Sequence, residues 1–188
     1  MKRAVVMAIV MTGLLFLPVP LLTADSTRAE APSMMMGAPA EMKMIAALAG
    51  TWDVAMKARM DPSQPWSETR GICLNTLVLD GCGLEQKFDG QMPMGPYRGI
   101  GMIAFHRGIG KWQYTWMDNM FGAMGYYLGT FADGKLVVSG EDVMPGITMW
   151  TRITTYNITD KSYEWTMESS MDGGKAWVVS GTAVYTKK

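Results

Sequence analysis

From Thr51 to the end, the chain is written in period two. Trp52, Val54, Met56, Ala58 and Met60 alternate with Thr51, Asp53, Ala55, Lys57 and Arg59. That alternation marks a strand with one buried face. The same pattern returns in Leu84, Gln86 and Phe88, in Trp112, Tyr114 and Trp116, and in Tyr163, Trp165 and Met167. In the last run Trp177, Val179, Ala183 and Tyr185 share one parity. Turn signals separate the runs: Asp80-Gly81, Arg107-Gly108, Asp133-Gly134, Pro145-Gly146, Asp160-Lys161 and Asp172-Gly173-Gly174. The spacing predicts about ten strands, at 51–60, 67–79, 82–90, 97–106, 111–118, 123–132, 135–142, 147–158, 162–170 and 175–186. No helical run interrupts them. A short helix is expected before them over Glu41–Ala49, where good helix formers run up to Gly50.

Many short strands joined by close turns make an all-β domain. Connections this short suit an up-and-down order. A twisted meander of this length tends to close, because closure removes its edges. The expectation is therefore one antiparallel up-and-down β-barrel behind a short N-terminal helix.

The first residues follow another logic. Lys2 and Arg3 precede an apolar run from Ala4 to Leu17, which Pro18 and Pro20 break. This is the layout of a secretory signal peptide, with Ala29-Glu30-Ala31 as an A-x-A cleavage site and cuts after Ala24 or Ala29 as alternatives. The expected organisation is a leader at 1–31, a methionine-rich tether at 32–40 and a barrel domain at 41–188. The expected location is secreted or periplasmic, with no membrane span after cleavage.

Composition narrows the function. The 188 residues hold 17 Lys+Arg and 17 Asp+Glu. Losing Lys2, Arg3 and Arg28 to the leader leaves 14 bases, and losing Asp25 and Glu30 leaves 15 acids. A balanced chain lacks the basic surplus that nucleic-acid binding needs. One histidine and two cysteines remove most multi-ligand metal sites, so no metal or cofactor is expected. A Ser-His-Asp centre would have to use His106, and no G-x-S-x-G elbow exists. No catalytic residue is assigned. Cys73 and Cys82 are not expected to bond: if Asp80-Gly81 is the turn, they lie roughly 20 Å apart along the hairpin.

The aromatic parity carries the candidate site. With Trp112, Tyr114, Trp116 and Tyr127 pointing inward, large flat side chains line the lumen. A small barrel either fills that space or holds a ligand. Gln86 shares a face with Leu84 and Phe88, so its amide would sit inside and need a partner. Arg152 shares a parity with Trp150 and Tyr156, but Ile147, Met149 and Ile153 make the other face equally apolar. On an inward face Arg152 would hold an anionic head group. Asp118-Asn119 is either a turn or a polar rim at the mouth.

Several stretches point to a family. Leu48-Ala49-Gly50-Thr51-Trp52, Met60-Asp61-Pro62, Gly99-Ile100-Gly101, Trp116-Met117-Asp118-Asn119-Met120 and Gly181-Thr182-Ala183-Val184-Tyr185 resemble the secreted bacterial family catalogued as domain of unknown function 1579. The resemblance spans about residues 41–187. It implies a lipocalin-like barrel and no reaction. It also implies that Trp52 plugs the closed end beneath a basic side chain, with Lys187 or Arg152 as the cation. Phe105-His106 stands where such sequences carry aspartate after the central aromatic.

Three functions stay open on the sequence. The leading one is a binding module for a small apolar ligand in the lumen. The second is a packed barrel that acts through its surface. The third is Cu(I) binding by methionines, at Met34, Met35, Met36, Met42 and Met44 or at Met92, Met94, Met117, Met120 and Met124. The oligomeric state is not legible.

Overall fold

The computed structural model describes residues 36–188 apart from Met60 and Pro145. The leader and the first residues of the tether lie outside the described residues. The strands are β1 (Gly50–Ala58), β2 (Ser67–Val78), β3 (Gly83–Met92), β4 (Gly95–His106), β5 (Lys111–Asp118), β6 (Met124–Ala132), β7 (Lys135–Met144), β8 (Ile147–Tyr156), β9 (Ser162–Ser170) and β10 (Val178–Lys187). Each pairs antiparallel with its neighbours in the chain, and β1 pairs with β10 to close the barrel. Among the described residues no helix is long and apolar enough to cross a membrane.

Local chemistry explains the elements. In β5, Lys-Trp-Gln-Tyr-Thr-Trp-Met-Asp buries Trp112 and Tyr114 and leaves Lys111 and Met117 outside. Between β6 and β7 the Ala132↔Lys135 rung is bridged by two residues, Asp133 (φ 51°) and Gly134 (φ 72°). Two left-handed residues in a two-residue loop match the twist of the flanking strands.

The expected N-terminal helix is corrected. Ala40–Leu48 is a 3-10 helix, and its buried residues are Met42, Ile45 and Leu48. A 3-10 helix has three residues per turn, so this spacing forms one stripe, which an α-helix would smear round its surface. The stripe packs into the barrel core.

The last strand is corrected twice. It starts at Val178 because Asp172 Oδ1 accepts the backbone N–H groups of Lys175 and Ala176, which ties that segment into a loop. Its pairing with β9 also shifts between Val179 and Gly181. One unpaired residue in a bulge inverts the face of everything beyond it. Trp177 and Val179 therefore leave the inner parity of Ala183 and Tyr185.

Candidate functional site

One end of the lumen is closed. The Trp52 indole donates to the Leu48 carbonyl at 2.8 Å, and the Asn75 amide donates to the same oxygen at 2.8 Å. Asn75 also donates to Tyr163 Oη at 3.1 Å, while its Oδ1 accepts from Gln86 at 3.3 Å and from the Cys73 thiol at 3.2 Å. Tyr163 meets Trp52 edge-on at 4.8 Å and stacks on Tyr185 at 4.1 Å. The Lys187 ammonium lies over the Trp52 ring and donates to the Ala49 carbonyl. Burial pushes the Cys73 thiol up to about 12 and the Tyr163 hydroxyl well above its ordinary value. Gln86 thus belongs to the network that fixes the floor, and its amide is already engaged.

The wall above the floor is aromatic. Trp112 and Tyr114 are buried on β5, and Tyr127 is buried on β6. Tyr114 lies 6.3 Å from Trp116 and 5.9 Å from Tyr127, centroid to centroid. The fold brings these four predicted residues onto one wall.

Toward the other end, rings lie flat against glycines. A Cβ at Gly99 would overlap the Trp116 ring, and one at Gly125 would overlap the Tyr127 phenol. Phe88 covers Gly71 and Gly90 in the same way, and Trp165 covers Gly181. Only glycine allows so close an approach, so the rings spread along the wall instead of crossing the lumen. Met56, Tyr97, Trp116, Trp165, Met167 and Tyr185 are inward yet only half-buried. A filled core would bury such side chains fully.

The mouth carries two carboxylates. Asp118 Oδ2 accepts from Tyr97 Oη at 3.0 Å and from Trp116 Nε1 at 3.2 Å. Its Oδ1 accepts the backbone N–H groups of Met120 and Phe121, both at 3.0 Å. Asp118 is thus both turn cap and rim. Asp142 accepts from Tyr127 Oη at 2.9 Å and 3.1 Å. Burial and then Asp118 raise the Tyr97 hydroxyl; burial and then Asp142, with a further push from Asp118, raise Tyr127.

Arg152 is corrected. It alternates with buried Thr151, Ile153 and Thr155, so it stands on the outer wall. There it makes a bidentate pair with Glu168 at 2.7 Å and 2.8 Å, beneath the Trp177 ring. The cation over Trp52 is Lys187.

The sequence reading missed Tyr97, Asp142 and Thr151 as lumen residues. Parity could have found Asp142, which shares a face with Leu136 and Val138, but Gly140 interrupts the apolar alternation. His106 ends β4, exposed. Of the methionines, Met42 is buried in the floor and Met44 is exposed, so that cluster is divided; Met34 and Met35 lie outside the described residues. Among the described residues no group of three or more His, Cys, Asp or Glu is placed to hold a metal ion.

A groove of about 820 Å³ is lined on the outer wall of β2–β5 by Ile72, Leu74, Lys87, Ile100 and Met117, which alternate with inward residues, and it extends to Phe88, Gly99 and Asp118 of the inward row. Its polar edges already pair there: Arg98 bonds Asp89 at 3.1 Å.

Comparison with known proteins gives a family and a fold. Residues 38–187 match the family described as "Protein of unknown function (DUF1579)". No curated protein matches the chain. The crystal structure of Rv2717c from M. tuberculosis is similar at a TM-score of 0.59 and 10% identity, over 80% of this chain and 99% of that one. A de novo designed fluorescence-activating β-barrel is similar at 0.42 and 14% identity, over 74% and 93%. A redesigned β-barrel, mFAP1, bound to DFHBI, is similar at 0.43 and 12% identity, over 75% and 95%. At these identities the likeness to Rv2717c is one of fold alone.

Proposed function

The chain belongs to the DUF1579 family, a membership that assigns no reaction, and from its geometry we propose that the barrel binds a small, flat, largely apolar molecule in its lumen. The observation that carries this reading is the seating of Trp116 and Tyr127 over Gly99 and Gly125. Rings laid against the wall turn their faces toward the axis of the barrel, and half-buried Tyr97 and Trp116 are the accessible ones among them. Aromatic walls with a few convergent polar groups are the usual composition of a small-molecule site. Tyr97, Tyr114, Trp116 and Tyr127 form the contact wall, with Trp112 packed behind them toward the floor. Gln86 and Trp52 hold the floor, and Arg152 takes no part. The leader read in residues 1–31 supports a secreted or periplasmic location for this binding.

The test is a fluorescence titration with N-phenyl-1-naphthylamine, an uncharged flat probe. Saturable quenching of tryptophan with one probe per barrel supports the proposal. An unchanged spectrum up to the solubility of the probe would sink it.

The exposed apolar side chains Ile72, Leu74 and Ile100 on the outer wall favour a second reading, in which the barrel acts by surface contact. Under that reading the probe response follows substitution of Ile100 and ignores Trp116.

A further inference from the structure

We infer that the lumen selects an organic cation: a protonated amine on a flat apolar body, with its charge held at the mouth between Asp118 and Asp142. This rests on the lumen being the binding site and adds the charge of the ligand.

The first observation is the charge lining the inside. Asp118 shares the inward parity of Trp112, Tyr114 and Trp116, and Asp142 shares that of Leu136 and Val138. Among the described strand residues the base on the inward parity is Lys187, which is at the opposite end and engaged with Trp52 and Ala49. Arg59, at the mouth end of β1, is turned onto the carbonyls of Pro62 and Val179 and the ring of Trp66. Lys57, Lys87, Arg98 and Arg152 pair with Glu68, Glu85, Asp89 and Glu168, all on the outer wall.

The second observation is the partners of the two carboxylates. Tyr97, Trp116, Tyr127 and backbone N–H groups are all neutral donors. They orient the carboxylates and leave their charge in place. Trp116, which bonds Asp118, pairs with Gly125, the glycine covered by the Tyr127 phenol that bonds Asp142, so the two carboxylates serve one region of the mouth; both raise the Tyr127 hydroxyl. A partly buried carboxylate with only neutral partners gains from an incoming cation.

The third observation is independent of charge. Thr151 is 2% exposed and lies on the inward row of β8, opposite Gly140. Its Oγ1 is a buried atom without a hydrogen-bond partner among the described residues. Buried hydroxyls in native proteins are nearly always paired. Gly140 is two rungs from Asp142, next to it on the same face, and its Cβ position meets Tyr127 at 3.0 Å. An ammonium N–H held by Asp142 is the kind of donor that the Thr151 oxygen lacks. The faces of Tyr97, Trp116 and Tyr127 supply the rest, because an aromatic quadrupole attracts a cation.

The experiment compares 1-naphthylmethylammonium, a flat protonated amine, with uncharged 1-methylnaphthalene, by tryptophan quenching and probe emission. The expected result is at least about tenfold tighter binding of the cation, the scale of one charge-assisted contact. Asp142→Asn should lower cation affinity about tenfold more than it lowers that of the neutral compound, because its amide oxygen still accepts from Tyr127. Asp118→Asn also loses an acceptor oxygen, either for Tyr97 and Trp116 or for Met120 and Phe121, so Asp142→Asn carries the test, with near-UV circular dichroism confirming a native barrel. Equal affinities, or an unaffected Asp142→Asn, would overturn the cation inference while lumen binding stood. Failure of both compounds to bind would overturn lumen binding and this inference together. Cation binding lost in Ile100→Ser but kept in Asp142→Asn would overturn it in favour of the outer wall.

Discussion

The Lys187 Nζ lies 4.4 Å from the centre of the Trp52 ring, and the two residues face each other on the same rung of the β1–β10 pairing. One contact therefore ties the seam of the barrel to its floor. Trp52→Ala should cost about 3–5 kcal/mol, as for a buried tryptophan. Lys187→Met should cost about 1–2 kcal/mol, combining an exposed cation–π contact with one hydrogen bond. Urea unfolding measures both. An unchanged midpoint for Lys187→Met would remove the cation from the account.

Asn75 is the hub of the floor. Asn75→Leu strands the Tyr163 hydroxyl and the Gln86 amide, each worth about 1–3 kcal/mol when buried unpaired, while the Leu48 carbonyl keeps the Trp52 indole. Adding Gln86→Leu should recover part of the loss, because an apolar pair replaces a broken polar one. A double-variant cycle reads this as a coupling between the two sites; strict additivity would contradict the network.

The thiols should behave differently. Cys73 is buried with its proton held up to about 12, while Cys82 is half-buried at the start of the β3 hairpin. At pH 8 a thiol reagent should label Cys82 in the native protein and both after unfolding. Stability follows by linkage. The unfolded Cys73 loses its proton near 9.0, so between 9.0 and about 12 the unfolded state binds fewer protons. The contribution is complete below pH 9.0 and falls as pH rises toward 12, with the raised Tyr114 and Tyr163 hydroxyls acting in the same direction. Unfolding midpoints measured from pH 7 to 11 check the sign.

Arg152→Leu is the control for the outer wall. Its pair with Glu168 is solvent-accessible, so the loss should stay within about 1 kcal/mol. Affinity for N-phenyl-1-naphthylamine should not change. A large fall would return Arg152 to the lumen.

Parity made the wall legible. Trp112, Tyr114 and Trp116 alternate cleanly, and one side of a closed sheet has to be the inside. It failed at β8, where Trp150 and Tyr156 compete with Met149 and Ile153 for the inner face. That choice is made by the rungs to Val138 and Met167, which a single strand does not contain. It failed again at Trp177, because a bulge leaves no mark in an apolar alternation. The floor was half legible. Met42, Ile45 and Leu48 recur every third residue, but helix formers between them suggested an α-helix. Tertiary bonds to the Leu48 carbonyl from Trp52 and Asn75 hold that end in place, and propensity is too weak to resist them. Asp142 was hidden by Gly140, whose missing side chain is what seats Tyr127.

The central claim is that the site is inside the barrel. The direct measurement is an NMR titration of the labelled protein with N-phenyl-1-naphthylamine, following the Trp116 indole N–H and the Met167 methyl against the Ile100 methyl on the outer wall. Saturable shifts of Trp116 and Met167 with Ile100 unmoved are the predicted result. Shifts confined to Ile100 and its neighbours, or none at all, would contradict it.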